Sequence, residues 1–440
     1  MHLLTIAFAA VGLLLFLILV LKLHAFLALL ISSLAMGLAA GMTPAAVLKS
    51  VQTGFGEALG FIAVVVGLGA MIGAFLEHSG GGRALADWLI EKFGRDNAAW
   101  AVLLAGFIVG LPIFFEVGFM ILVPLAYSLT RESNLLNPTR PKSLLFYGLA
   151  MLAPLTVLHA LVPPHPAPAA AAKLLGADLG SAIIYGALLS IPMAIIGGIV
   201  YGHWISKRVF VPVPANAPLP ETTSGIKPPA PLATALLLLL TVTLILIGTI
   251  WDKSYIFALI GHPFGALLVT LIAAMVMFGS MRGLSREQIT NLATKSLLPV
   301  GSLLVIMGGG GAFKQIIVDS GAGKLAGEML AQTNISPLLV AYLMAAAMRV
   351  AQGSATVAII TAAGLMAPLT KSIVNYNPTM VYLALCCGGT LLSHVNDAGF
   401  WIVNQYFGMT VPQTLKSWTA MKMITSIVGL AILLTINAFL

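Results

Sequence analysis

AAWAVLLAGFIVGLPIFFEVGFMILVPLAYSL, residues Ala98 to Leu129, is apolar except for Glu116. It is too long for one ordinary bilayer crossing, which takes about 20 residues. The tract breaks in its middle, at GLPIFFE, Gly110 to Glu116. A proline there removes a helical hydrogen bond and clashes with the preceding turn. The reading is helix, break, helix, which suits a hairpin that enters the bilayer and returns. Irregular backbone at membrane depth is tolerated only against protein or a water-filled cavity.

A second tract of this kind lies far downstream. Pro337 to Leu369 is equally long and breaks at AQGSAT, Ala351 to Thr356. Aligning GLGAMIGAFLEHSGGGRALADWL from Gly67 with GGGGAFKQIIVDSGAGKLAGEML from Gly308 pairs Gly69 with Gly310, Ser79 with Ser320, Gly80 with Gly321, Gly82 with Gly323, Arg83 with Lys324 and Asp87 with Glu328. The same alignment sets Pro112 against Gly353. After a shorter loop, His159 in TVLHALVPPHP meets His394 in TLLSHVNDAGF. Between the halves, KRVFVPVPANAPLPETTSGIKPPAP (Lys207 to Pro231) has a linker composition expected to stay extended and solvated. The domain reading is therefore 1–206 with a hairpin at about 98–129, a linker at 207–231, and 232–440 with a hairpin at about 337–369. Paired interruptions in two related halves point to a transporter site near the midplane.

Composition sets the environment. Of 440 residues, 59% are hydrophobic and 8% charged, against about 25% charged in soluble domains. Further apolar runs at Leu3–Leu21, Phe26–Gly41, Leu59–Leu76, Gly180–Ile205, Leu232–Ile250, Ile256–Met281 and Ile424–Leu440 make the chain an all-α polytopic membrane protein. The first run lacks a basic leader and a cleavage site, so it reads as a retained helix. The net charge of +8 is scattered at helix ends, which fits a topology signal and not nucleic-acid binding. Arg131, Arg140 and Lys142 follow the first hairpin, whereas only Lys371 follows the second; Lys207, Arg208, Lys227, Arg282, Arg286 and Lys295 mark further basic loops. This asymmetry predicts inverted-topology repeats. Cys386 and Cys387 are adjacent in an apolar run, with no disulfide or metal spacing.

Several polar residues interrupt the apolar tracts. A carboxylate at Glu116 is costly in the bilayer unless it is paired, hydrated or protonated. Because removal from water favours the protonated form, Glu116 is a candidate proton carrier; the alternative is a hydrogen bond that closes the hairpin. Arg349 either holds a substrate carboxylate or forms an ion pair with Glu116 or Asp397. Gly353, Ser354 and Thr356 offer free backbone N–H groups that favour an anion and hydroxyls that could contact a polyol or carboxylate at a helix start; the alternative is plain helix packing by small residues. His159 and His165 flank a proline-rich break and could titrate near neutral pH; the alternative for each is a satisfied structural hydrogen bond. His394, Asn396 and Asp397 stand at the matching break, where they could contact hydroxyls, relay a proton or hold a cation. Tetraglycine 308–311 permits either ligand approach or close helix packing. No GxSxG, HExxH, CxxC or Walker loop is present.

FFEVGF around Glu116, PPHP around His165, GGGGAFKQ from Gly308, GSATVA from Gly353 and SHVNDAGFW from Ser393 closely resemble the gluconate:proton symporter family, over essentially the whole chain. They are closer to its gluconate-like branch than to its D-serine branch, although Ala398 replaces an expected proline. The resemblance implies two re-entrant hairpins, a scaffold and a transport domain, a homodimer, and elevator-like alternating access in a bacterial inner membrane. It implies a small anionic sugar acid as substrate and no cofactor beyond the proton as coupling ion. Proton coupling is expected of Glu116, His165 and Asp397. Substrate contact is expected of Arg349, Gly353, Ser354, Thr356, His159, His394 and Asn396. The competing readings are a sodium-coupled carboxylate carrier, a D-serine or other hydroxy-acid permease, an anion pore and an intramembrane enzyme.

Overall fold

The computed structural model describes residues 2–111, 114–139, 141–215, 228–250, 255–298, 300–322, 325, 335–370, 377–394 and 397–439. Expectations resting on Pro112, Arg140, Lys227, Gly323, Lys324, Glu328, Lys371 and Asn396 lie outside them.

Among the described residues the chain is helical, with no strand. The first half runs α1 (His2–Leu19), α2 (Ala25–Ala39), α3 (Pro44–His78), α4 (Gly81–Phe93), α5 (Ala98–Gly110), α6 (Phe115–Leu136), α7 (Leu145–Leu161), α8 (Pro166–Leu175) and α9 (Leu179–Ser206). The second runs α10 (Pro231–Ile250), α11 (Tyr255–Gly261), α12 (Pro263–Arg282), α13 (Arg286–Leu297), α14 (Val300–Asp319), α15 (Pro337–Gln352), α16 (Ala355–Thr370), α17 (Pro378–Thr390), α18 (Ala398–Tyr406) and α19 (Val411–Phe439).

Both long tracts are split where their residues demand it. Helix α5 ends at Gly110, and α6 restarts at Phe115 with Glu116 in its first turn. Helix α15 ends as Gly353 turns left-handed at φ +80°, its N–H bonding the Arg349 carbonyl at 3.0 Å. Glycine takes that conformation without the steric cost a Cβ brings. Ser354 then accepts from the Val357 N–H at 3.4 Å and opens α16. Helices α7 and α17 also stop at irregular segments. Pro166 begins α8 behind His165, and Asp397 caps α18 by accepting from the Gly399 N–H at 3.1 Å.

The broken elements form the middle of the bundle. In the Leu145–Leu175 stretch 89% of an 18-residue apolar window is buried, against 44% of such a window in Leu179–Ser206 and 39% in Pro263–Arg282. Those outer helices present Leu188, Ile191, Val200 and Ile272 outward, as lipid contact requires. Helix α5 packs on α7, and α15 packs on α17. The Tyr127 hydroxyl donates to the Tyr406 carbonyl at 2.5 Å and joins α6 to α18, while α16 packs on α8.

The tetraglycine is a packing device. Added Cβ atoms on Gly308 and Gly310 would strike Phe55 and Ile360, and one on Gly311 would lie 2.3 Å from the Gly54 carbonyl oxygen. Helix α14 thereby meets α3 at backbone contact, in the manner of small-residue membrane interfaces. The start of the linker also differs from expectation. Val211 is buried, its carbonyl accepting from Leu144 N–H at 2.8 Å and its own N–H donating to Ser143 Oγ at 3.0 Å. An apolar residue with its backbone groups paired is more stable docked than solvated.

Candidate functional site

The breaks converge on one cavity of about 280 Å³. The start of α6 contributes Phe115 and Glu116, and α7 contributes Thr156 and His159. Arg349 and residues 353–356 come from the α15–α16 tip, Asp397 to Gly399 from the α18 start, and Trp418 and Lys422 from α19. The N-termini of α6, α16 and α18 all border this space. Unsatisfied N–H groups give each a partial positive charge, so the cavity favours an anion.

Arg349 is already engaged. It is 2% exposed, and its Nη2 donates to Asp397 Oδ2 while Nη1 donates to the Gly353 carbonyl. The same carboxylate accepts from Ser393 Oγ, which in turn accepts from the Trp418 indole N–H at 2.7 Å. Thr419 Oγ1 donates to the Ser393 carbonyl. These bonds tie the α15–α16 break to the α17–α18 break and to α19. Of the ion-pair partners considered for Arg349, Asp397 is the one observed. Arg349 Nε is buried without a hydrogen-bond partner among the described residues.

Three groups on the cavity are less constrained. Glu116 is accessible and has no cation within 4.0 Å among the described residues. His159 turns its ring toward Phe114 and His165, at 6.2 and 4.9 Å between centroids, and its buried Nδ1 lacks a hydrogen-bond partner among the described residues. Lys422 is 4% exposed, with its Nζ 5.8 Å from the centre of the Trp418 ring. No carboxylate lies within 4.0 Å of Lys422 among the described residues.

The structure thus gathers Glu116, His159, Arg349, Gly353, Ser354, Thr356 and Asp397 around one space. It places two expected residues elsewhere. His165 is buried behind His159, and its Nε2–H donates to the Gly110 carbonyl at 2.7 Å, satisfying an acceptor where α5 ends. His394 donates from Nε2 to the Val350 carbonyl at 3.1 Å. Asn396 lies outside the described residues. Sequence reasoning missed Thr156, Trp418 and Lys422. Lys422 lies close to Lys416 at the edge of an apolar run and so resembles a charge at a helix end; for Thr156 and Trp418 no local pattern marks the role.

The GntP family permease model matches residues 1–439. The chain is 41% identical to a gluconate permease of Pseudomonas aeruginosa over 95% of this chain and 94% of that one. It is 39% identical to a high-affinity gluconate transporter of Escherichia coli, covering 97% and 98%. Among solved structures, the YdaH transporter of Alcanivorax borkumensis superposes with a TM-score of 0.70 at 13% identity, covering 94% of this chain and 98% of that one. That last likeness concerns the fold alone. A helical bundle with several helices fit to span a membrane and a match along nearly its whole length place this chain in the GntP family of permeases, as a multi-pass inner-membrane transporter and not an enzyme.

Proposed function

We propose that the protein imports gluconate or a closely related sugar acid together with a proton. The observation that carries this reading is the charge content of the cavity. Arg349 and Asp397 cancel as an ion pair. Glu116 and Lys422 remain. With Glu116 ionised, the empty cavity is neutral overall. With Glu116 protonated, one positive charge is left, and a monocarboxylate substrate neutralises it. Uncompensated charge is costly inside a bilayer. The two low-cost states are therefore empty with Glu116 ionised, and loaded with anion plus proton. Proton and substrate favour the same state, which is the linkage that symport requires.

Size and chemistry agree with a small polyol acid. The cavity lies near the lower end of the range for small-molecule sites, about 300 Å³. Thr156, Ser354, Thr356 and His159 supply groups for substrate hydroxyls. The proposal extends to architecture: the two broken pairs, α5–α6 and α15–α16, act as re-entrant hairpins of inverted repeats, and a transport domain carrying them moves as an elevator in a homodimer. The repeated order of helix, broken pair, interrupted helix and long helix in both halves supports it.

Uptake of radiolabelled gluconate into proteoliposomes tests the coupling. The expected result is accumulation driven by an inward proton gradient at equal sodium on both sides. Accumulation that follows a sodium gradient and ignores pH overturns the proposal in favour of a sodium-coupled carrier.

A further inference from the structure

We infer that Lys422, and not Arg349, is the group that receives the carboxylate of the substrate. This inference rests on the sugar-acid reading above and assigns the anion to one side chain.

The two cations differ in what they still lack. The Arg349 guanidinium spends Nη1 on the Gly353 carbonyl and Nη2 on Asp397. Among the described residues Arg349 keeps an unpartnered Nε, but its charge is already neutralised by Asp397, which also holds Ser393 and caps α18. Lys422 has no such commitment. The residue is buried and lines the cavity, and among the described residues the Trp418 ring is the one close partner of its ammonium group. A ring contact offsets part of the cost of burying a cation, and an ammonium group has three donors to satisfy. Of the other charged or titratable groups on the cavity, Arg349 and Asp397 pair with each other, His159 offers an Nδ1 without a partner among the described residues, and Glu116 makes no contact pair with Lys422.

Local structure supports a built position. Helix α19 carries a π-turn at Leu415–Thr419, just before Lys422. Such an insertion rotates the residues around it and recurs at functional sites. Here Trp418 and Thr419 both bond to Ser393, which fixes the turn that precedes Lys422. Charge-assisted hydrogen bonds to carboxylates are about twice as strong as neutral ones, so the lysine decides acid against neutral polyol.

The test measures binding of sodium gluconate and of its neutral amide, gluconamide, to purified wild type, Lys422→Gln and Lys422→Arg. Wild type should bind gluconate at least ~10-fold more tightly than gluconamide. Lys422→Gln should lose that preference, with gluconate affinity falling ~10-fold or more, and Lys422→Arg should keep part of it. Gluconamide binding to wild type as tightly as gluconate overturns the inference without recourse to any variant. So does a folded Lys422→Gln protein with unchanged gluconate affinity. If wild type binds another carboxylate but no gluconate, the sugar-acid reading fails, and Lys422 is then judged by the same pair of variants on that carboxylate.

Discussion

Arg349 and Lys422 are buried cations on one cavity, and among the described residues only the first has a carboxylate within 4.0 Å. The difference has consequences for stability. Removing one member of a buried pair strands the other charge, at a cost of about 3–5 kcal/mol. Asp397→Asn should therefore lower the melting temperature of the detergent-purified protein clearly, and Arg349→Met with Asp397→Leu should recover part of the loss. Equal melting temperatures for wild type and Asp397→Asn would show that the pair carries no such weight. Sequence made Glu116, Arg349 and Asp397 visible because each interrupts an apolar tract at a break. Lys422 was hidden by its position. It lies close to Lys416 and just ahead of the run taken to begin at Ile424, so it resembled a charge at a helix end. Only the packing of α19 against the α17–α18 break shows that it faces inward. The tie from His165 to Gly110 is hidden for the same reason, because it joins residues far apart in sequence.

The elements divide into those that build the breaks and those that hold the frame. Gly353 belongs to the first kind, and its left-handed turn was foreshadowed by a glycine before a serine at a helix restart. Gly54 and Gly311 belong to the second, where α3 and α14 touch along their backbones. Gly311→Val should destabilise the purified protein by about 1–3 kcal/mol through overpacking, seen as earlier aggregation on heating. Gly69→Ala, on α3 with no atom near its added Cβ, should be neutral or slightly stabilising. Equal behaviour of the two variants would contradict the packing role given to the tetraglycine. The π-turn of α19 could not be read from sequence, since no residue type specifies it. Nor could the central place of α7, because an apolar run looks the same whether protein or lipid covers it.

At the scale of the whole molecule, two halves with a similar order of helices bring their breaks to a common cavity. The breaks themselves were legible from the proline, glycine and charged residues that interrupt the apolar tracts. Which charges remain uncompensated was not, because it depends on contacts between the halves. On the charge count proposed here, one proton travels with one monocarboxylate, so the transport cycle moves no net charge. An imposed membrane potential, clamped with potassium and valinomycin at equal pH, should leave the gluconate uptake rate unchanged. A rate that scales with the potential would mean a different stoichiometry. The most direct trial of the account compares wild type with Glu116→Gln in proteoliposomes, scoring both gluconate accumulation under a proton gradient and exchange of gluconate at equal pH. If Glu116 carries the coupled proton, Glu116→Gln keeps exchange and loses accumulation; a Glu116→Gln protein that still concentrates gluconate against its gradient would contradict that role.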